Sequence, residues 1–237
     1  MTATVRTTAP VAGTSTGRRP LAVALVAAPL LWLAAEALSP ALKSDSTAQL
    51  AVIAQHSGRW FGYTALLTLG TILFVPAILG IMRLTRPRLP RLTLIGGALL
   101  GYGTIIAVGD SMSQLTTWQM VAGNADRTQM AALLDRVSNA AGASLFFGPG
   151  GLAFLVGAIL LTVALVRARV TSVWVPIVFL LGIVMQLVGF TASSVVLITA
   201  SAILCLTAMG MLARQLWAES PSEQAAVDGS RAFVPAI

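Results

Sequence analysis

Charge is scarce in this chain. Aspartate, glutamate, lysine and arginine make up 10% of its 237 residues, and 57% are hydrophobic. A soluble domain draws about 25% of its residues from those four types. Mean hydropathy is +0.86. These values exclude an ordinary soluble fold and indicate an integral membrane protein. Cysteine is scarcer still. Cys205 is the single one, so no intramolecular disulfide and no CxxC metal or redox motif can form. It reads as a small packing residue inside an apolar run. His56 is the single histidine, which excludes a multi-histidine metal site. It reads as loop polarity, with a proton relay to nearby acids as the alternative. Neither a metal nor another cofactor is expected. Internal repeats are also missing, which weighs against an inverted-repeat carrier.

What charge there is has one dominant sign. The net charge is +7. Nucleic-acid binding is not the reading, because the basic residues stand singly or in short groups beside apolar runs. Those runs fall at about 21–39, 61–82, 92–111, 144–166, 172–190 and 194–213. Each is near the roughly 20 residues that a bilayer core demands. The expected fold is all-α: a polytopic bundle of six transmembrane helices over residues 21–213. Residues 1–20 and 214–237 read as disordered cytoplasmic tails. The first run is longer than the apolar part of a signal peptide, so it is expected to remain as a helix.

Orientation follows from the arginines. Arg6, Arg18, Arg19, Arg83, Arg86, Arg88, Arg91, Arg167, Arg169, Arg214 and Arg231 fall on one side of the expected bundle. The other side has Lys43, Arg59, Arg127 and Arg136, accompanied by Asp45, Asp126 and Asp135. The positive-inside rule puts both termini in the cytoplasm of a multi-pass cell-membrane protein. The basic, proline-rich 83–91 loop is expected to touch anionic lipid heads.

The outer loops carry their own pattern. Met130, Leu133, Leu134 and Val137 form one helical stripe, with Asn124 as a candidate cap. Leu50, Ile53 and Ala54 form another, with Ser46 as its cap. Two short interfacial helices are expected over the outer mouth of the bundle.

The polar residues of the spans share one depth. Glu36 lies about one turn from the outer end of the first span, and Asp110 lies in the last turns of the third. Gln186 falls in the outer third of the fifth. Trp60 and Tyr63 open the second span, and FFGPGG (146–151) opens the fourth. Gln114, Trp118 and Gln119 stand nearby. Gly96 and Gly103 lie within about 40° of Asp110 around the third helix. Small residues mark helix contacts in membranes, so Asp110 is expected to face a neighbour. Trp32 and Pro29 share the face of Glu36. Pro149 either loosens the start of the fourth helix or sits in its first turn, where proline is welcome.

Such a cluster suits chemistry on a lipophilic molecule. A carboxyl group in an apolar site favours its protonated form and can donate that proton. Aromatic faces stabilise a carbocation. In length, span count and paired acids the chain resembles the small integral-membrane terpene cyclases of bacterial meroterpenoid and indole-sesquiterpenoid pathways. The resemblance implies a metal-independent cyclase for a prenylated substrate. Glu36 and Asp110 would be its acid and base. Trp32, Trp60, Tyr63, Trp118 and Gln186 would be its substrate-binding residues. The expected partners are the lipid bilayer and that lipophilic substrate. Two other readings stand beside it. One is a small-molecule exporter. The other is an accessory or immunity protein in which the two acids only bond between helices.

Overall fold

The computed structural model describes residues 17–40, 45–123 and 126–218. Among them it contains eight helices and no strand. They are α1 (Arg18–Leu38), α2 (Ser46–Gln55), α3 (Ser57–Thr85), α4 (Pro90–Gln119), α5 (Arg127–Ser138), α6 (Ala141–Ala168), α7 (Trp174–Thr191) and α8 (Val195–Ala218). Six of these, all but α2 and α5, are long and apolar enough to cross a membrane. In lipid no water meets an exposed N–H or C=O, so helices that bond within themselves are the form open to such segments.

The six spans close into a ring. Each packs against the next in the order α1, α3, α4, α6, α7, α8 and back to α1. The α6–α7 seam is the thinnest of the six. A continuous core fills the ring, with Leu25, Phe74, Ile81, Leu100, Leu161 and Phe179 fully buried. Cys205 belongs to that core. α4 packs closely on α6, where a Cβ on Gly157 would collide with the backbone nitrogen of Leu100. Gly96 and Gly103 face α6 as well, so the glycine face of α4 is a helix contact.

Both ends of the ring are tied off by polar groups. Where α1 starts and α8 ends, the Arg19 guanidinium lies 5.9 Å from the centre of the Trp217 ring. Thr93 donates a 2.9 Å hydrogen bond to Thr85 across the α3–α4 turn. Arg88 in that turn donates to the carbonyl of Ala168. At the far end sit α2 and α5. Asp45, not Ser46, caps α2 by accepting from the Ala48 amide at 2.7 Å. Asp126 caps α5, accepting from Thr128 and Gln129. Asn124 lies outside the described residues. A carboxylate at a helix start also meets the positive end of the helix dipole, which a hydroxyl or amide does not exploit.

Ser46 has a different task. Its hydroxyl donates to Asp135 at 2.5 Å and joins α2 to α5. The pair does not merely rest on lipid. Leu50 and Ile53 are buried, and Ile53 packs with Ala35, Trp60 and Tyr63. The stripe of α5 is less complete, since Val137 remains 53% exposed. Replacing Ser46 by Ala should therefore loosen α5 but not α2. The bond is exposed, so its loss costs about 1 kcal/mol or less. Hydrogen exchange should speed up across 127–138 while 46–55 stays protected.

Several helices run past the expected spans; α3 covers Ser57–Thr85, beyond the expected 61–82. α1 begins at Arg18 and α8 continues to Ala218, so both run into the segments expected as tails. α4 continues eight residues past the expected end at 111. No breaker stops it, and its hydroxyls bond back along the helix: Ser111 to Ala107, Ser113 to Asp110, Thr117 to Ser113. At 1.5 Å per residue α4 is about 45 Å long, well beyond the roughly 30 Å of hydrocarbon. Pro149 stands in the third turn of a continuous α6, not in its first turn.

Candidate functional site

At the far end the ring does not fill its own centre. A cavity of about 560 Å³ opens there, lined from α1, α3, α4, α6 and α7. Ligand sites commonly fall between about 300 and 1,000 Å³.

α1 supplies Trp32, whose ring lies 5.0 Å from that of Phe74 and whose Nε1 donates to Thr71 at 3.3 Å. Thr71 in turn donates to the Leu67 carbonyl at 2.8 Å. The indole therefore has its polar edge satisfied and its orientation held. Gly70 leaves room for it: a Cβ there would stand 2.7 Å from the ring. On α3, Trp60 and Tyr63 sit three residues apart on one face with ring centres 5.6 Å apart. Trp60 donates to the carbonyl of Gln114 at 3.2 Å and so pins α3 to α4. Phe154 on α6 continues the aromatic wall, 6.1 Å from Phe74.

The polar groups of the wall come from α4 and α7. Asp110 lines the cavity and is exposed, with Ser111 next to it in the chain and Gln114 about one turn on. Gln186 lines the α7 wall, and its Oε1 is buried with no hydrogen-bond partner among the described residues. A buried amide oxygen with no partner is expensive, about 1–3 kcal/mol, and is a ready acceptor for a ligand hydroxyl.

Glu36 is placed differently. It is 7% exposed and does not line the cavity. Its Oε2 is buried without a hydrogen-bond partner. Both carboxyl groups, Glu36 and Asp110, fall within electrostatic range of the Tyr63 hydroxyl. Tyr63 itself lines the cavity. So one acid stands at the cavity surface, the other behind its wall, and the phenol senses both.

Of the expected site residues, Asp110, Trp32, Trp60, Tyr63 and Gln186 share this cavity. Trp118 does not line it; its ring packs on Phe61 at 5.2 Å. His56 lies in the exposed junction between α2 and α3, where its amide donates to the carbonyls of Val52 and Ile53. Gln114, expected in a loop, is helical and lines the cavity. Phe74, Phe154 and Phe190 line it too. In the sequence these three look like any apolar residue of a span.

No family model, curated protein or solved structure matches the chain.

Proposed function

We propose that this protein is a membrane-embedded cyclase of a prenylated small molecule, with Asp110 as the acid that starts the reaction. The observation that carries the proposal is the far-end cavity: aromatic on most sides, with one carboxyl group on its α4 wall and a buried amide oxygen on its α7 wall. Protonated Asp110 adds its proton to an alkene carbon of the substrate and leaves a tertiary cation. A second alkene attacks that cation, and a carbon–carbon bond closes the ring. The carbon beside the final cation gives up a proton to the Asp110 carboxylate, which restores the acid. The step is a net isomerisation. The faces of Trp32, Trp60 and Tyr63 stabilise the intermediate cation by cation–π attraction. Gln186 orients the polar head of the substrate. Glu36 touches no substrate; it acts as a positioning residue through Tyr63.

Two further facts support this reading. The alternative in which the acids serve only as glue between helices needs hydrogen bonds to neighbouring spans. Neither acid side chain makes one among the described residues. The thin α6–α7 seam borders the cavity through Phe147, Gly151, Gln186 and Phe190. It offers a lipophilic molecule an entry from the bilayer. With the arginine-rich end in the cytoplasm of a cell-membrane protein, such entry makes the outward position of the cavity immaterial.

The test uses membranes containing the full chain, supplied with prenylated phenols and indoles in D₂O. Cyclisation by this route yields a product isobaric with the substrate except for one added deuterium on carbon. A product without carbon-bound deuterium sinks the protonation mechanism. Tight binding with no product at all favours export or a non-catalytic binding role.

A further inference from the structure

We propose a second site, separate from the cavity: the groove between α1 and α8 binds one phospholipid with an anionic headgroup. The groove has a volume of about 420 Å³ and lies at the end of the bundle where α1 starts and α8 ends. Its apolar walls include Val23, Val26 and Leu30 from α1 and Gly210 from α8. Its polar end is formed by Arg214 and Trp217. Val23, Leu30 and Trp217 are each more than half exposed, so no described residue covers the groove.

The charge around it selects the occupant. Arg214 lines the groove, is exposed and has no ion pair or hydrogen bond among the described residues. Arg19 lies over the Trp217 ring at the same end. The described acids, Glu36, Asp45, Asp110, Asp126 and Asp135, all stand toward the far end, while Glu219, Glu223 and Asp228 follow α8 and lie outside the described residues. The arginines at the groove therefore have no described counter-charge. A lipid phosphate with no cationic group beside it supplies it, while the acyl chain fills the apolar trough. Basic pockets between spans recognise headgroups in this way. In a zwitterionic phospholipid the ammonium group offsets the phosphate charge and weakens its hold on the arginines.

Native mass spectrometry of the full chain tests the site. Phosphatidylglycerol and phosphatidylcholine with identical acyl chains are compared. One phosphatidylglycerol is expected to stay bound, with a preference of about tenfold over phosphatidylcholine. The double variant Arg19→Gln, Arg214→Gln should erase the preference and leave weak binding of both. Gly210→Leu should weaken both lipids, because a Cβ at 210 meets nothing within 4 Å and the side chain grows into the groove. Brominated phosphatidylglycerol should quench part of the tryptophan emission, and Trp217→Phe should remove that part. Equal retention of the two lipids overturns the proposal. So does a preference that survives the arginine variant. A dimer that Gly210→Leu dissolves would assign the groove to a second copy instead. The arginine variant changes exposed side chains, so the proposal stays testable if Gly210→Leu fails to fold.

Discussion

Replacing Asp110 by Asn should lower turnover by about 10²–10⁴-fold, the usual contribution of a positioned acid or base. The substitution keeps the size of the side chain and its place on the wall. It removes the only proton that a cavity-lining carboxyl group can deliver among the described residues. Binding of the substrate should change little, because the aromatic wall is untouched. The fold should survive as well, since the Asp110 side chain has no hydrogen bond to lose. Turnover by liquid chromatography and mass spectrometry, with a thermal melt in detergent, reads both quantities. Glu36→Gln is the necessary comparison. Glu36 is buried behind the wall, so its loss acts through Tyr63 and should reduce turnover less. Equal losses for the two variants would make Glu36 the reacting acid. Unimpaired turnover by Asp110→Asn would remove the acid mechanism altogether. Loss of folded protein would return Asp110 to a structural role.

The spans were legible because a bilayer imposes a length and an apolar composition on every crossing segment. The glycine face of α4 was legible for a related reason: helices that touch in lipid need small residues where they touch. Gly103 meets α6 as its spacing predicts, and that face carries Asp110 toward the cavity. The order of helices around the ring was not legible. It depends on which faces pair, and nearly every face of these spans is apolar. For the same reason Phe154 and Phe190 could not be told from lipid-facing residues. The positions of Glu36 and Asp110 in their runs imply a shared depth, but depth does not say which helix stands between them. The cap of α2 was misread by one position. Ser46 and Asp45 both suit a cap, and only the position of α5 shows that Ser46 is committed to Asp135.

The neighbouring glycines 150 and 151 should respond to substitution in opposite ways, and the difference locates the cavity. A Cβ at Gly150 would stand 2.7 Å from the Ile106 side chain. Gly150→Ala therefore forces α6 away from α4 and should cost about 1–3 kcal/mol, as overpacking does elsewhere. A Cβ at Gly151 meets nothing within 4 Å, because that residue faces the cavity. Gly151→Ala should be neutral or stabilising by up to about 1 kcal/mol, since alanine is the better helix former. Gly151→Trp is then the decisive variant. Its Cβ meets nothing within 4 Å, and its indole is expected to grow into the cavity that Phe154 and Gln186 also line. Substrate binding and turnover should both disappear, while the thermal melt stays at or above that of the unaltered chain. Asp110→Asn spares binding and removes chemistry, whereas Gly151→Trp removes both. If Gly151→Trp still binds and converts substrate, the reaction takes place somewhere other than this cavity. Asp110 would then be an acid facing an empty space.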